Sequence, residues 1–260
     1  MIYGAAAGDI AGSRFEFNNI KTKDFEMFHS DCFFTDDSVM TIAVALACKK
    51  YEKHRKLSEF KENLIDEMHR FGNMYPYAGY GGRFRVWLLE KSREPYNSWG
   101  NGSAMRVSPI AYCCDSLDET IQLAKASAEV THNHSEGIAG AEATAACIHM
   151  ALHGASKEEI RQYINERYYK LDFTLDEIRP TYTFNETCRD TVPQAIECFL
   201  ESNDFEDTIR NAVSIGGDCD TSACIAGSIA EAFYGIPKNL KEAVLSYFDD
   251  NLKNIIKSLN

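Results

Sequence analysis

The sequence predicts an all-α protein, a single compact helical domain of residues 1–260 with a binuclear metal centre, and three observations lead there. Nearly every segment with a regular apolar spacing has the helical period, and neither a hairpin signal nor a βαβ unit breaks that pattern. No charge run and no Pro/Gly/Ser-rich linker divides the chain, and 260 residues suffice to bury a substantial core. Third, two stretches repeat one local design, a threonine and two carboxylates placed directly before a helix of small and apolar residues: Thr35-Asp36-Asp37 and Asp218-Cys219-Asp220-Thr221.

Residues 4–12 are small, interrupted by Asp9, and read as a closely packed first helix with Glu16 just beyond it. Glu16 is either a surface acid or a ligand aimed at a metal. The run 33–48 places Thr35, Asp36 and Asp37 before an apolar helix, where the threonine can cap and the acids can serve the helix dipole. Residues 57–71 carry apolar side chains at 57, 60, 64, 65, 68 and 71, an amphipathic helix, and leave His69 on the surface. Residues 75–82 and 98–109 are glycine-rich loops. The second lacks the lysine of a P-loop, yet its amides could receive a phosphate, with a plain turn as the alternative.

Ser116-x-x-Glu119 and Ser156-x-x-Glu159 are capping boxes that open helices over 117–131 and 156–169. Between them, Thr131-His-Asn-His134 leads into a small-residue helix over 137–152. No Cys or third His completes a zinc set there, so His132 is expected to touch a ligand. Residues 171–188 show no helical period and form a long loop, with Tyr182 and Phe184 available to stack on a flat group. Helices over 191–200 and 205–213 lead to Gly216 and Gly217, which turn the chain before Asp218. Ala223, Ala226, Gly227 and Ala230 let the following helix pack closely until Gly235 and Pro237 end it. One last helix, 238–259, closes the bundle.

Composition narrows the function. The formal net charge of −12 argues against a basic surface for nucleic-acid backbones. Nine cysteines without a Cys-x-x-Cys pair fit neither a disulfide framework nor structural zinc, and read as reduced thiols in a cytoplasmic protein. The N-terminus reaches Asp9 too soon for a signal peptide, and no apolar run is long enough for a membrane span. Each acidic helix start taken alone is as consistent with N-capping as with metal binding. Together they offer four carboxylates and two hydroxyls, the hard oxygen donors that a pair of magnesium or manganese ions takes.

Five stretches, in order from near one end of the chain to near the other, resemble the ADP-ribosylglycohydrolase family: residues 8–16 (GDIAGSRFE), 35–38 (TDDS), 100–106 (GNGSAMR), 131–134 (THNH) and 216–221 (GGDCDT). The resemblance implies an all-helical fold with two divalent cations, Mg2+ or Mn2+. It implies Thr35, Asp36 and Asp37 as one ligand set and Asp218, Asp220 and Thr221 as the other, with Glu16 near the metals. The catalytic carboxylates would come from Asp36, Asp37, Asp218, Asp220 and Glu16. It also implies that Gly79, Tyr80 and Gly81, with Gly100, Asn101, Gly102 and Ser103, hold the diphosphate of ADP-ribose, and that His132 contacts the ligand. Ser38 stands where many members have threonine, and a hydroxyl is kept.

The activity so implied is hydrolysis at the anomeric carbon of the distal ribose of an ADP-ribosylated protein or small-molecule conjugate, releasing ADP-ribose. The alternatives are a metal-dependent phosphohydrolase and a non-catalytic ADP-ribose-binding protein. The choice of leaving group is expected in the loops 21–31 and 171–188.

Overall fold

The computed structural model describes residues 1–259. In chain order its helices are α1 (Tyr3–Ser13), α2 (Asp36–His54), α3 (Leu57–Met74), α4 (Gly82–Leu89), α5 (Gly102–Met105), a 3₁₀ turn Ser108–Tyr112, α6 (Leu117–Glu129), α7 (Ser135–Leu152), α8 (Lys157–Arg167), α9 (Leu175–Ile178), α10 (Cys188–Leu200), α11 (Phe205–Ile215), α12 (Cys219–Tyr234), α13 (Lys238–Tyr247) and α14 (Asp250–Leu259). Among the described residues there is no sheet, only an isolated bridge between Gly100 and Thr187.

The deepest contact is α1 against α12, and small residues set it. Gly4, Gly8 and Gly12 recur every fourth residue, on one face of α1. A Cβ on Gly4 would lie 2.2 Å from Gly227 O, one on Gly8 1.9 Å from Ala223 O, and one on Gly12 2.5 Å from Asp220 Cα. A Cβ on Gly227 would in turn meet Gly4 O at 2.4 Å. The two helices therefore touch backbone to backbone, with no side chain between them. Glu231 fixes the other end of the seam, accepting from Gly4 N (2.7 Å) and the Met1 ammonium (3.0 Å), donors that a helix start leaves without partners. Helices α7, α10 and α11 pack around α12, α2 packs on α3, and their apolar faces join one continuous core.

The helix starts follow local chemistry. Ser156 and Glu159 form the reciprocal capping box, whereas at Ser116 only half of the expected box exists. There the Glu119 carboxylate turns away to Asp115 N (2.9 Å), Tyr51 (3.0 Å) and Arg55 (2.6 Å). Two expectations are corrected. The region 171–188 is not wholly loop, because Thr174 and Glu177 build a capping box that starts the short α9. The last helix is also broken in two at Phe248, which is extended (φ −84, ψ 152) and buries its ring against Phe34. Asp249 then accepts from Leu252 N at 2.8 Å and caps α14. The apolar period runs through this break, which is why periodicity alone reads one helix.

All nine cysteines are free and buried. No helix among the described residues is long and apolar enough to cross a membrane.

Candidate metal centre and substrate cavity

The start of α2 is capped by Thr35, whose Oγ1 accepts from Asp37 N (3.3 Å). Beneath it lies Asp9 of α1, fully buried. Its carboxylate accepts from Thr35 N (3.0 Å), Thr35 Oγ1 (2.8 Å), Ser38 N (3.1 Å) and Ser38 Oγ. These bonds fill the lone-pair capacity of a carboxylate. Asp37 accepts from Thr221 Oγ1 (3.3 Å) through Oδ2, while its Oδ1 is buried with no partner. An orphaned carboxylate oxygen in the interior is costly unless a cation meets it.

The start of α12 is built differently. Asp218 occupies the N-cap position but makes no capping bond; its Oδ2 accepts from Asn101 Nδ2 (2.7 Å), which also reaches Thr191 Oγ1 (3.2 Å). Gly216 and Gly217 precede it at φ +77° and +79°. A side chain at Gly217 would run into the Tyr182 ring at 2.3 Å as well as straining the backbone. Asn19 braces this turn, accepting from Gly217 N (2.7 Å) and donating to Gly217 O (2.9 Å).

Two groups of carboxylates result, each with ligand atoms within 4.8 Å of one another: Asp9, Asp37 and Asp220, and Glu16, Asp218 and Asp220. Asp220 belongs to both. Burial raises every member, and also Asp36, which belongs to neither group, and the neighbouring acids add to the effect for most of them. Asp9 is pushed up to about 6, Glu16 to about 7 with Asp218 as its chief charged neighbour, and Asp36 to about 8 with Asp9 as its chief charged neighbour. Asp37 and Asp220 rise well above the ordinary carboxylate range, and Asp218 also rises. So many carboxyls in one buried space need either protons or cations, and their hard oxygens suit a divalent cation.

Glu16, Asp36, Asp37, Asp218 and Asp220, with Asp9 buried behind them, form the floor of a cavity of about 660 Å³. Arg83 and Arg106 supply positive charge to another part of the lining, which they share with Tyr96, His132 and the glycine loops. Arg106 is buried and donates to Thr131 Oγ1 (2.8 Å) and Ser127 O (3.2 Å). Thr131 Oγ1 lies 2.7 Å from His132 Nδ1, which leaves Nε2 as the ring nitrogen outside that contact. That nitrogen faces the loop, 3.2 Å from where a Cβ on Gly102 would stand. Burial, with Arg106 and Arg83 nearby, keeps His132 neutral by lowering its pKa well below the usual value.

Thr35, Asp36, Asp37, Asp218, Asp220, Thr221, Glu16, Gly79, Gly81, Gly100, Asn101, Gly102 and His132 all reach this cavity. Tyr80 and Ser103 do not line it. The Tyr80 ring packs on Phe84, and Ser103 Oγ donates to Gly137 O (2.7 Å), so those side chains turn inward. Two amides of the second loop are already used, Gly100 N by Ser98 Oγ (3.1 Å) and Asn101 N by Glu186 O (2.9 Å). Phe184 reaches the mouth, but Tyr182 is turned under Gly217 with its hydroxyl on Asp190 O (2.5 Å). The loop 21–31 stays off the wall; Lys21 instead ties Tyr182 O and Ile215 O together from behind. His69 is half-buried rather than on the surface, stacked on Trp87 at 4.2 Å.

Sequence reading passed over Asp9, Arg83, Glu186 and the exposed rim aromatics Phe17, Phe33, Tyr77 and Trp99. Asp9 alone carried a usable signal, since a carboxylate inside a helix of small residues must find partners when that helix is buried.

The family model for ADP-ribosylglycohydrolase matches residues 1–260. The chain belongs to the ADP-ribosylglycohydrolase family. Mouse ADP-ribosylhydrolase ARH3 is 30% identical over 267 residues, covering 78% of this chain and 70% of its own. The human ARH3 protein is 27% identical over 286 residues, covering 85% and 77%. The ADP-ribosylarginine hydrolase Tri1 of Pseudomonas putida is 34% identical over 150 residues, covering 53% of this chain and 39% of its own. A solved structure described as an ADP-ribosylglycohydrolase-related protein complex superposes with a TM-score of 0.72 at 22% identity, covering 98% of this chain and 94% of that one, a likeness of fold. As a member of this family the protein is an ADP-ribosyl hydrolase.

Proposed function

We propose that this ADP-ribosylglycohydrolase uses two divalent cations, magnesium or manganese, to hydrolyse the bond at the anomeric carbon of the distal ribose in an ADP-ribose conjugate, releasing ADP-ribose. The observation that carries this reading is the mixed polarity of one cavity, lined by carboxylates, among them Asp37 with its orphaned Oδ1, and by a wall of Arg83, Arg106, His132 and glycines. An anionic diphosphate belongs at that wall, which leaves the distal ribose over the acids.

Thr35, Asp36, Asp37, Asp218, Asp220 and Thr221 would hold the cations, whose Lewis acidity serves the departing bond. Asp9, its oxygens taken by Thr35 and Ser38, positions the first set, and Asn101 positions the second through Asp218. The remaining glycine amides donate to the phosphates, and His132 contacts them through Nε2. Glu16 lines the cavity beside Asp218 and Asp220, placed to take a proton from the attacking water and return it to the departing group. The buried carboxylates stabilise the positive charge that develops on the ribose ring. Nine free, buried thiols support a reducing, cytoplasmic setting.

Incubation with ADP-ribose conjugates, in magnesium or manganese and then in chelator, tests the reading, with products identified by mass. Cation-dependent release of intact ADP-ribose is expected, and Asp218→Asn should abolish it. Release of AMP or phosphate instead would identify a phosphohydrolase and overturn the proposal.

A further inference from the structure

A second cavity, of about 610 Å³, is separate from the one that holds the acids. The two share no lining residue. Thr187 borders the first, Arg189 and Asp190 border the second, and Cys188 between them is buried with its Sγ on Gly100 O (3.1 Å). The second is built from the start of α7, the chain leaving α8 and the first turns of α10. Its size is that of a small-molecule site, about 300–1,000 Å³.

What distinguishes this cavity is charge without pairing. Glu136, Lys170 and Arg189 all line it, yet none of them forms an ion pair among the described residues. Lys170 Nζ reaches only a carbonyl, Asn165 O (3.1 Å), while the Glu136 carboxylate and the Arg189 guanidinium hold no hydrogen bond among the described residues. Elsewhere in the molecule neighbouring opposite charges do meet, as Arg161 meets Glu197 (2.6 Å) and Arg93 meets Asp66 (2.7 Å). Asp190, the fourth charge on the wall, is spent locally, accepting from Asn185 Nδ2 (3.2 Å) and Thr187 Oγ1 (3.3 Å). Phe173 is half-buried without joining the continuous core, and Pro193 adds a second apolar surface. Two lining residues keep further polar capacity in reserve: Tyr169 Oη and Gln194 Oε1 are buried with no partner among the described residues.

We infer that this cavity binds a small zwitterion of the amino-acid class, with its ammonium at Glu136, its carboxylate at Arg189 and Lys170, and its apolar side chain against Phe173 and Pro193. A simple anion such as phosphate would meet the Glu136 carboxylate, and a simple cation would meet two like charges. A ligand that carries both signs satisfies all three groups, through charge-assisted hydrogen bonds. The Phe173 ring, outside the core, gives up its remaining contact with water only when something apolar covers it. A free amino acid and a short peptide with both termini free share this chemistry. The site goes beyond the hydrolysis proposed above and does not depend on it.

Calorimetry on the full chain tests the site, with magnesium and saturating ADP-ribose present so that the catalytic cavity is filled. The probes are L-phenylalanine and the dipeptide L-leucyl-L-phenylalanine. Saturable binding of at least one is expected, and the tighter of the two names the source. Its N-acetylated form, which lacks the ammonium, and its C-terminal amide, which lacks the carboxylate, should each bind about tenfold more weakly, the loss of one charge-assisted contact. Glu136→Gln should erase the penalty for N-acetylation, Arg189→Gln should shrink the penalty for amidation, and Phe173→Ser should weaken every form alike. None of the three should change the affinity for ADP-ribose. No saturable binding of either probe, equal binding of the blocked forms, or binding that all three substitutions leave unaltered would overturn the site and leave the hydrolase standing.

Discussion

At the start of α2, Thr35 caps the helix through its own neighbour, Asp37 N, and Asp9 clamps the turn from α1. At the start of α12, Asp218 caps nothing and takes its hydrogen bond from Asn101, 117 residues away in sequence. The residue types at the two starts are nearly the same, so local sequence assigns both to capping or both to metal. The structure separates them: the first is a stable helix start that also turns carboxylates to the cavity, whereas the second has given up its cap. A carboxylate without its local partner, buried beside other carboxylates, destabilises the empty fold and favours a cation.

Four measurements can break or sharpen this contrast. The largest effect is expected where both starts depend on one support. Gly8→Leu would drive a side chain into Ala223 of α12, whose backbone oxygen already stands 1.9 Å from a Cβ there. It should cost about 3 kcal/mol or more in denaturant unfolding and abolish cation binding at both starts together. If binding survived at one start alone, the seam would not be the common support.

Next comes Asp218→Asn. Removing a proposed ligand should weaken manganese binding by more than about 100-fold, beyond the range for residues that only support ligands. The same variant should raise the melting temperature of the cation-free protein, because it relieves acid repulsion and loses no cap. Stabilisation with loss of binding is the trade expected of a functional residue, and a lowered melting temperature without cations would show instead that Asp218 caps α12.

Asp9→Asn is smaller. The amide nitrogen cannot accept, so one side of the bonds from Thr35 and Ser38 is lost. Manganese affinity should fall by about 10- to 100-fold by calorimetry. Asn101→Leu, its counterpart at α12, should fall in the same range; unchanged affinity in either would free that start from its distant partner.

The mildest test is pH. Asp9, Glu16 and Asp36 are raised to about 6, 7 and 8 in the fold, chiefly by burial, above the values of an unfolded chain. Between about pH 4 and 8 the folded state therefore holds protons that the unfolded chain has released, and stability falls as pH rises. Thermal melts of the cation-free protein should decline from pH 5 to 8, and saturating magnesium should flatten the decline by replacing those protons.

Helical content, most of the longer helices and the positions of both acidic starts were legible because each is encoded within a few residues: an apolar period, a Ser or Thr with Glu three later, a Gly-Gly before Asp; the short α4, α5 and α9 were not. Partners distant in sequence were not. Nothing near Asp9 shows that Thr35 and Ser38 will meet it, and nothing near Asn101 indicates Asp218. Tyr182 and Phe184 looked equally free to stack, yet Gly217, lacking a Cβ, leaves a space that the Tyr182 ring fills. The C-terminal break escaped notice since burial of Phe248 and capping by Asp249 override an unbroken apolar period. Tyr80 and Ser103 fell inside glycine loops whose backbone reaches the cavity while their side chains serve the core.

The seam of Gly4, Gly8 and Gly12 has a bearing on how such a protein can change over generations. Where side chains meet, a substitution on one helix can be answered by a compensating one on the other. Where main chain meets main chain there is nothing to exchange, since every alternative residue only adds volume. That part of the molecule admits almost no neutral drift, while the aromatic mouth, carried on turns above it, can accept new residues without disturbing the carboxylates. A lineage with this architecture can try one leaving group after another and keep its chemistry.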